Sequence, residues 1–163
     1  MLKRRVVLAG LFAAAVTPVL AHSAPRGQAT AKLNGKSITV DYGRPSLQGR
    51  DMLGRATPGE AWRMGADAAT TLTTDANLSF GGTAVPKGSY ILTATKDEKG
   101  SWTLNVRDGK DREKVLANVP LANVTLPDSI EVFTIELRAT DKDKAELELQ
   151  WGTSGMKAAF SAK

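Results

Sequence analysis

Apolar and polar residues alternate through most of the chain after residue 29, and turn residues punctuate the runs. Alternation of period two puts successive side chains on opposite faces of an extended strand, so the pattern predicts β-structure. Residues 29–33 read as a first strand. Asn34-Gly35 then reads as a hairpin turn, because both residues tolerate positive φ. Residues 36–42 place Ile38, Val40 and Tyr42 on one face, with Thr39 and Asp41 on the other. Residues 43–60, rich in Gly, Pro and Arg, carry no clean period and predict one long ordered loop. Residues 62–74 read as extended, with Thr70, Leu72 and Thr74 sharing a face.

Further strands are predicted at 77–80, 89–95 and 101–106. Residues 115–126 are apolar but broken by Pro120, and 130–139 alternate again. Residues 145–151 give the cleanest alternation, with Leu147, Leu149 and Trp151 inward, before a turn at 152–155 and a last strand at 156–160. About nine short strands with no amphipathic helix predict an all-β fold, an antiparallel β-sandwich of jelly-roll or Ig-like type with one long loop. Trp102 and Trp151 fall on inward faces and are expected in the core.

The first residues follow a different pattern. Lys3, Arg4 and Arg5 precede an apolar, Ala-rich run, and small residues follow at Val19 and Ala21. This is the layout of a secretory signal peptide at 1–21, with cleavage after Ala21 and Ala24 as the second choice. The apolar run is short for a membrane anchor, and no later segment is long and apolar enough to serve as one. Arg4-Arg5 also admits twin-arginine export of a folded chain. The expected organisation is a leader at 1–21, a flexible N-terminus at 22–29 and one β-sandwich domain at 30–163. The expected location is the bacterial periplasm or beyond.

That leader changes the charge balance. The 163-residue chain carries +5, but removing 1–21 leaves 19 Lys and Arg against 17 Asp and Glu, about +2. A nucleic-acid partner is therefore not expected. The absence of Cys excludes disulfides, thiol nucleophiles and thiolate metal sites. His22 is the sole His, so a Ser-His-Asp triad and a multi-His metal site are excluded as well. No cofactor and no metal is expected.

Candidate chemistry gathers between residues 41 and 72. Tyr42, Arg44, Arg50, Trp62, Arg63, Asp67 and Thr70 are the candidate ligand-binding residues, with Asp41 and Glu60 close by in sequence. A guanidinium presents a rigid fork of donors that matches carboxylate, phosphate or sulfate oxygens, so converging arginines would make an anion pocket. Trp62 would add a stacking wall, and Gly43, Gly49 and Gly65 would let backbone approach closely. The competing interpretation is structural: the same arginines pair with Asp41, Glu60 and Asp67 and tie the loop to the domain, with Trp62 as a plug beneath it.

The segments VDYGRPSLQGR and AWRMGADAATTL, the VPKGSY turn and SWTLNV together resemble the bacterial family called domain of unknown function 2911. The resemblance runs from about Thr30 to the C-terminus and implies a secreted, β-rich domain; it carries no activity with it. Asp67 stands where that family usually shows Asn, and Ala68 where it usually shows Glu. The expected function is a non-catalytic exported module for a polar or anionic ligand, a glycan or an envelope protein. The alternative is an envelope hydrolase or lyase acting through carboxylates and Arg.

Overall fold

The computed structural model describes residues 23–163. The expected leader at 1–21 and His22 lie outside the described residues. Within them the chain is all-β and antiparallel, with ten strands and no helix. The strands are β1 (Arg26–Leu33), β2 (Lys36–Gly43), β3 (Ala61–Trp62), β4 (Thr70–Thr74), β5 (Leu78–Phe80), β6 (Thr83–Val85), β7 (Gly88–Lys96), β8 (Trp102–Asp108), β9 (Val115–Ala139) and β10 (Lys144–Ala162). They form one continuous sheet in the order β1-β2-β4-β7-β8-β9-β10-β5-β6, with β3 added beside β7.

The sheet rolls over on itself, and β9 makes this possible. Its first residues pair with β8 and its remainder with β10, so it belongs to both halves. The chain leaving β2 then meets β9 from the other side. Leu47 N donates to the Glu131 carbonyl and Phe133 N to the Pro45 carbonyl, each at 2.9 Å. Inward residues of both halves fill the enclosed space, among them Leu33, Ile38, Leu92, Leu104, Phe133 and Leu149. Tyr42 joins the halves directly. Its ring meets Phe133 edge-on at 5.7 Å, and its hydroxyl donates to the Ile135 carbonyl at 3.2 Å.

Several boundaries differ from those expected. β1 begins at Arg26, inside the stretch 22–29 expected to be a flexible N-terminus; Arg26 is drawn in by an ion pair with Asp41. Residues 115–139 form one strand rather than two. Pro120 lies where β9 has a partner on one side only, and a residue without an N–H is tolerated there. The expected turn at 152–155 is a pair of register shifts instead, so β10 bends and continues. Residues 63–69 are not extended; they leave the sheet as a loop between β3 and β4.

The three tryptophans share one aromatic cluster. Trp62 packs against Trp102 at 5.7 Å, Phe133 at 5.2 Å and Trp151 at 6.1 Å, the last nearly parallel at 14°. The long loop closes over this end of the roll through Leu47, Met52, Leu53 and Ala56. Lys96 holds it down, its Nζ donating to the carbonyls of Leu53 at 3.2 Å and Gly54 at 3.0 Å.

Candidate functional site

The loop at 63–69 is the centre of the candidate region. β3 and β4 both pair with the same side of β7, so the chain between them must bulge out of that lane and return. Three residues take positive φ to do so: Met64 at 55°, Gly65 at 146° and Asp67 at 61°. Thr70, fully buried, donates its hydroxyl to the Met64 carbonyl at 2.7 Å. Arg63 Nη1 donates to the Asp67 carbonyl, also at 2.7 Å.

The loop rests on the end of β2, backbone against backbone. A Cβ on Gly43 would collide with the Ala66 carbonyl oxygen, and one on Gly65 would come within 2.7 Å of the Gly43 carbonyl oxygen. Both positions therefore need glycine for close approach. The N-terminal segment straps the loop from outside. Asp67 Oδ2 accepts from the Ala24 amide at 2.6 Å, and Arg26 reaches the Ala68 and Ala69 carbonyls at 3.3 and 3.4 Å while pairing with Asp41.

The sequence-predicted residues divide into three groups. Tyr42 and Thr70 are buried and bonded to backbone carbonyls, and Trp62 is half-buried in the aromatic cluster. Arg44 and Arg50 lie elsewhere from the loop's open side. Arg50 Nε donates to its neighbouring Leu47 carbonyl at 3.1 Å. Arg44 runs across Gly27, where a Cβ would come to 2.5 Å from its Cδ, and its buried Nε has no partner among the described residues. Arg63 and Asp67 alone come together, on the exposed rim of a cleft. Arg44, Arg50 and Arg63 form no ion pair with Asp41, Glu60 or Asp67 among the described residues; Asp41 pairs with Arg26.

The cleft has a volume of about 310 Å³ on the outer face of β7 and β8. Arg63 and Asp67 form one wall. Arg107 of β8 and Arg112 and Glu113 of the β8–β9 turn form the other. Ile91 floors it between them, directly opposite Arg107 in the β7–β8 register. Arg107 is held in place by two bonds, Nε to the Thr93 hydroxyl at 3.0 Å and Nη1 to the Arg112 carbonyl at 2.9 Å. Asp108 shapes the turn that carries Arg112: its carboxylate accepts from the Lys110 amide at 2.8 Å and the Asp111 amide at 3.3 Å. Those backbone donors hold the Asp108 carboxyl below its usual range.

Arg107 and Arg112 were not among the residues the sequence singled out, because they arrive from a strand and turn more than forty positions downstream. Their one signal is positional: Arg107 lies on the face of β8 opposite the apolar Leu104 and Val106. Three guanidinium groups thus line one cleft with two carboxylates, and none of the three is in an ion pair among the described residues. Such a site offers charged donors for an anion. No group of three or more His, Cys, Asp or Glu is placed to hold a metal among the described residues.

Residues 24–160 match the family described as Protein of unknown function (DUF2911). The chain belongs to that family. No curated protein and no solved structure matches it. The DUF2911 motifs now have a physical content: the YGRP glycine and the WRMGA glycine are the two positions where β2 and the 63–69 loop touch. The two departures from the DUF2911 pattern are mild in structure. Position 67 needs positive φ and an acceptor for the Ala24 amide, and both Asp and Asn supply these. Ala68 is exposed and uses its carbonyl, which any residue has, to receive Arg26.

Proposed function

We propose that this DUF2911 protein is an exported, non-catalytic binding module that takes an anionic ligand in the cleft of Arg63, Arg107 and Arg112. One observation carries the proposal: Arg63 and, from the β8–β9 region more than forty residues later, Arg107 and Arg112 line one open cleft, and among the described residues none of the three is in an ion pair. Guanidinium groups on two opposed walls suit a carboxylate, phosphate or sulfate, whose oxygens accept several charged hydrogen bonds at once. The leader-like pattern at residues 1–21 supports export. The hydrolase or lyase alternative gains nothing from the same region. Asp41 already accepts from Arg26 and Gln28, and Asp67 from the Ala24 amide.

Titration calorimetry of the full chain with inorganic phosphate, sulfate and citrate tests the proposal. At least one of the three binds, and Arg107→Gln weakens it by about 10- to 100-fold, since a hydrogen bond to a charged group is worth roughly 1.5–3 kcal/mol. Arg50→Gln, outside the cleft, leaves affinity unchanged. Equal loss in both variants, or no binding of any of the three, overturns it.

A further inference from the structure

The cleft does not end at Arg107. Along β7 the outward residues after Ile91 are Thr93 and Thr95, and their β8 partners are Asn105 and Thr103. Thr95, Thr103 and Asn105 also line a second depression, bounded by Pro58, Gly59, Lys96, Asp97 and Glu98. The two depressions therefore share one floor. From Ile91 to Thr95 it spans roughly 13 Å by the rise of a strand. It is recessed: Ile91 and Asn105 face outward from the sheet, yet are only 8% and 7% exposed. The 63–69 loop and residues 58–59 rise on the β3–β4 side, and the turn carrying Arg112 and Glu113 rises at the cationic end.

The floor has a definite hydrogen-bonding character. Asn105 Nδ2 donates to the Thr93 hydroxyl at 3.4 Å and to the Thr95 hydroxyl at 2.8 Å, and Arg107 Nε donates to Thr93 at 3.0 Å. Both threonine oxygens are thus used as acceptors, which leaves their O–H hydrogens free to donate outward. The Asn105 side-chain oxygen has no bond within the fold among the described residues, so an acceptor lies beside these donors. Alternating hydroxyl donors and an amide acceptor on a flat floor match the hydroxyls of a sugar chain. The two ends differ in charge balance: Arg63, Arg107 and Arg112 outnumber Asp67 and Glu113 at one, and Asp97 and Glu98 outnumber Lys96 at the other.

We infer that the trough running from Arg63, Arg107 and Arg112 over Thr93, Asn105, Thr95 and Thr103 binds an extended acidic saccharide, its carboxylate at the arginines and its hydroxyls along the floor. This rests on the anion reading above and names the ligand class for that site. Other polymers fit less well. A single-stranded nucleic acid uses stacking platforms, and all three tryptophans are turned into the core. A lipid or an apolar peptide face needs an exposed apolar patch, and the floor beyond Ile91 is Thr and Asn.

Calorimetry of the full chain with three probes tests the inference: glucuronic acid, an acidic tetrasaccharide of one terminal glucuronic acid on three N-acetylglucosamines, and the neutral N-acetylglucosamine tetramer. The acidic tetrasaccharide binds at least 10-fold more tightly than glucuronic acid, and the neutral tetramer at least 10-fold more weakly than the acidic one. The double variant Thr95→Val, Thr103→Val brings the acidic tetrasaccharide down to the affinity of glucuronic acid and leaves glucuronic acid itself unchanged. Its thermal melt, compared with that of the parent, shows that it is folded; should it unfold, Asn105→Ser serves in its place with the same expectation. A tetrasaccharide that binds no more tightly than glucuronic acid overturns the saccharide trough while leaving the anion cleft standing. Failure of all three probes together with the inorganic anions overturns both.

Discussion

Replacing Gly43 by Ala is the sharpest perturbation of the contact between β2 and the 63–69 loop. Gly43 is not at positive φ, so an added methyl meets no conformational penalty there. It meets matter instead. The new Cβ would collide with the Ala66 carbonyl oxygen and lie 2.9 Å from the Ala66 nitrogen, all of it backbone. Neither side yields easily. β2 is paired on both edges, by β1 and β4, and the loop is pinned by the Thr70–Met64 and Arg63–Asp67 bonds. Forcing a methyl into such a contact costs about 1–3 kcal/mol. For a domain of this size that corresponds to a loss of roughly 3–12 °C in melting temperature. Gly35→Ala is the control. Gly35 has φ 74° but nothing within 4 Å of a built Cβ, so it isolates backbone strain of about 1–2 kcal/mol from close approach. Thermal melts followed by circular dichroism compare the two. Gly43→Ala is also expected to weaken anion binding, because the loop it displaces carries Arg63, whereas Gly35→Ala is not. A Gly43→Ala protein that melts within a degree of the parent and binds the same anion equally well would refute the reasoning.

Other outcomes follow from the same structure. Asp67→Asn keeps the melting temperature within a degree or two, while Asp67→Val, a β-branched residue at φ 61°, lowers it by several degrees from roughly 1–3 kcal/mol of strain. Trp62→Ala, which opens the aromatic cluster, destabilises by about 3–5 kcal/mol in denaturant melts and collapses the near-ultraviolet dichroism. Hydrogen bonds from Arg138, then Lys157, hold the Glu146 carboxyl below its ordinary value. A lowered folded pKa means that stability from this group is present above the unfolded pKa and is lost as pH falls through the folded one. The melting-temperature gap between the parent and Arg138→Met therefore closes on acidification, and NMR titration finds the Glu146 midpoint raised in that variant. N-terminal sequencing of protein secreted by a bacterial host is expected to begin at His22.

Period-two alternation made the fold class legible, because each inward residue of a rolled sheet still alternates with an outward one. It could not reveal that residues 115–139 form one strand. Pro120 is a break only if both edges of the strand are paired, and pairing is a long-range property. Gly152 likewise looked like a reversal because a bulge and a turn use the same residue types. The loop at 43–60 was visible from composition, and Gly43, Gly49 and Gly65 stood out as places of close approach. Gly43 and Gly65 meet each other, which was not deducible, whereas a Cβ on Gly49 would meet nothing within 4 Å, and that glycine serves a turn at φ 73° instead. The site was legible by half. Arg63 and Asp67 lie in the segment singled out, but the second wall of the cleft comes from Arg107 and Arg112, which no local pattern ties to residue 63. Arg44 and Arg50 looked equivalent to Arg63 in sequence and are separated from it by the path of the loop.

The most direct test is an NMR titration of uniformly ¹⁵N-labelled protein with the anion that binds most tightly by calorimetry. Shift changes confined to residues 61–69, 91–93 and 107–113, with a midpoint that moves to about 10- to 100-fold higher anion concentration in Arg107→Gln, are the predicted result. Changes centred on residues 44–50, or an unchanged midpoint in Arg107→Gln, would contradict the assignment of the site.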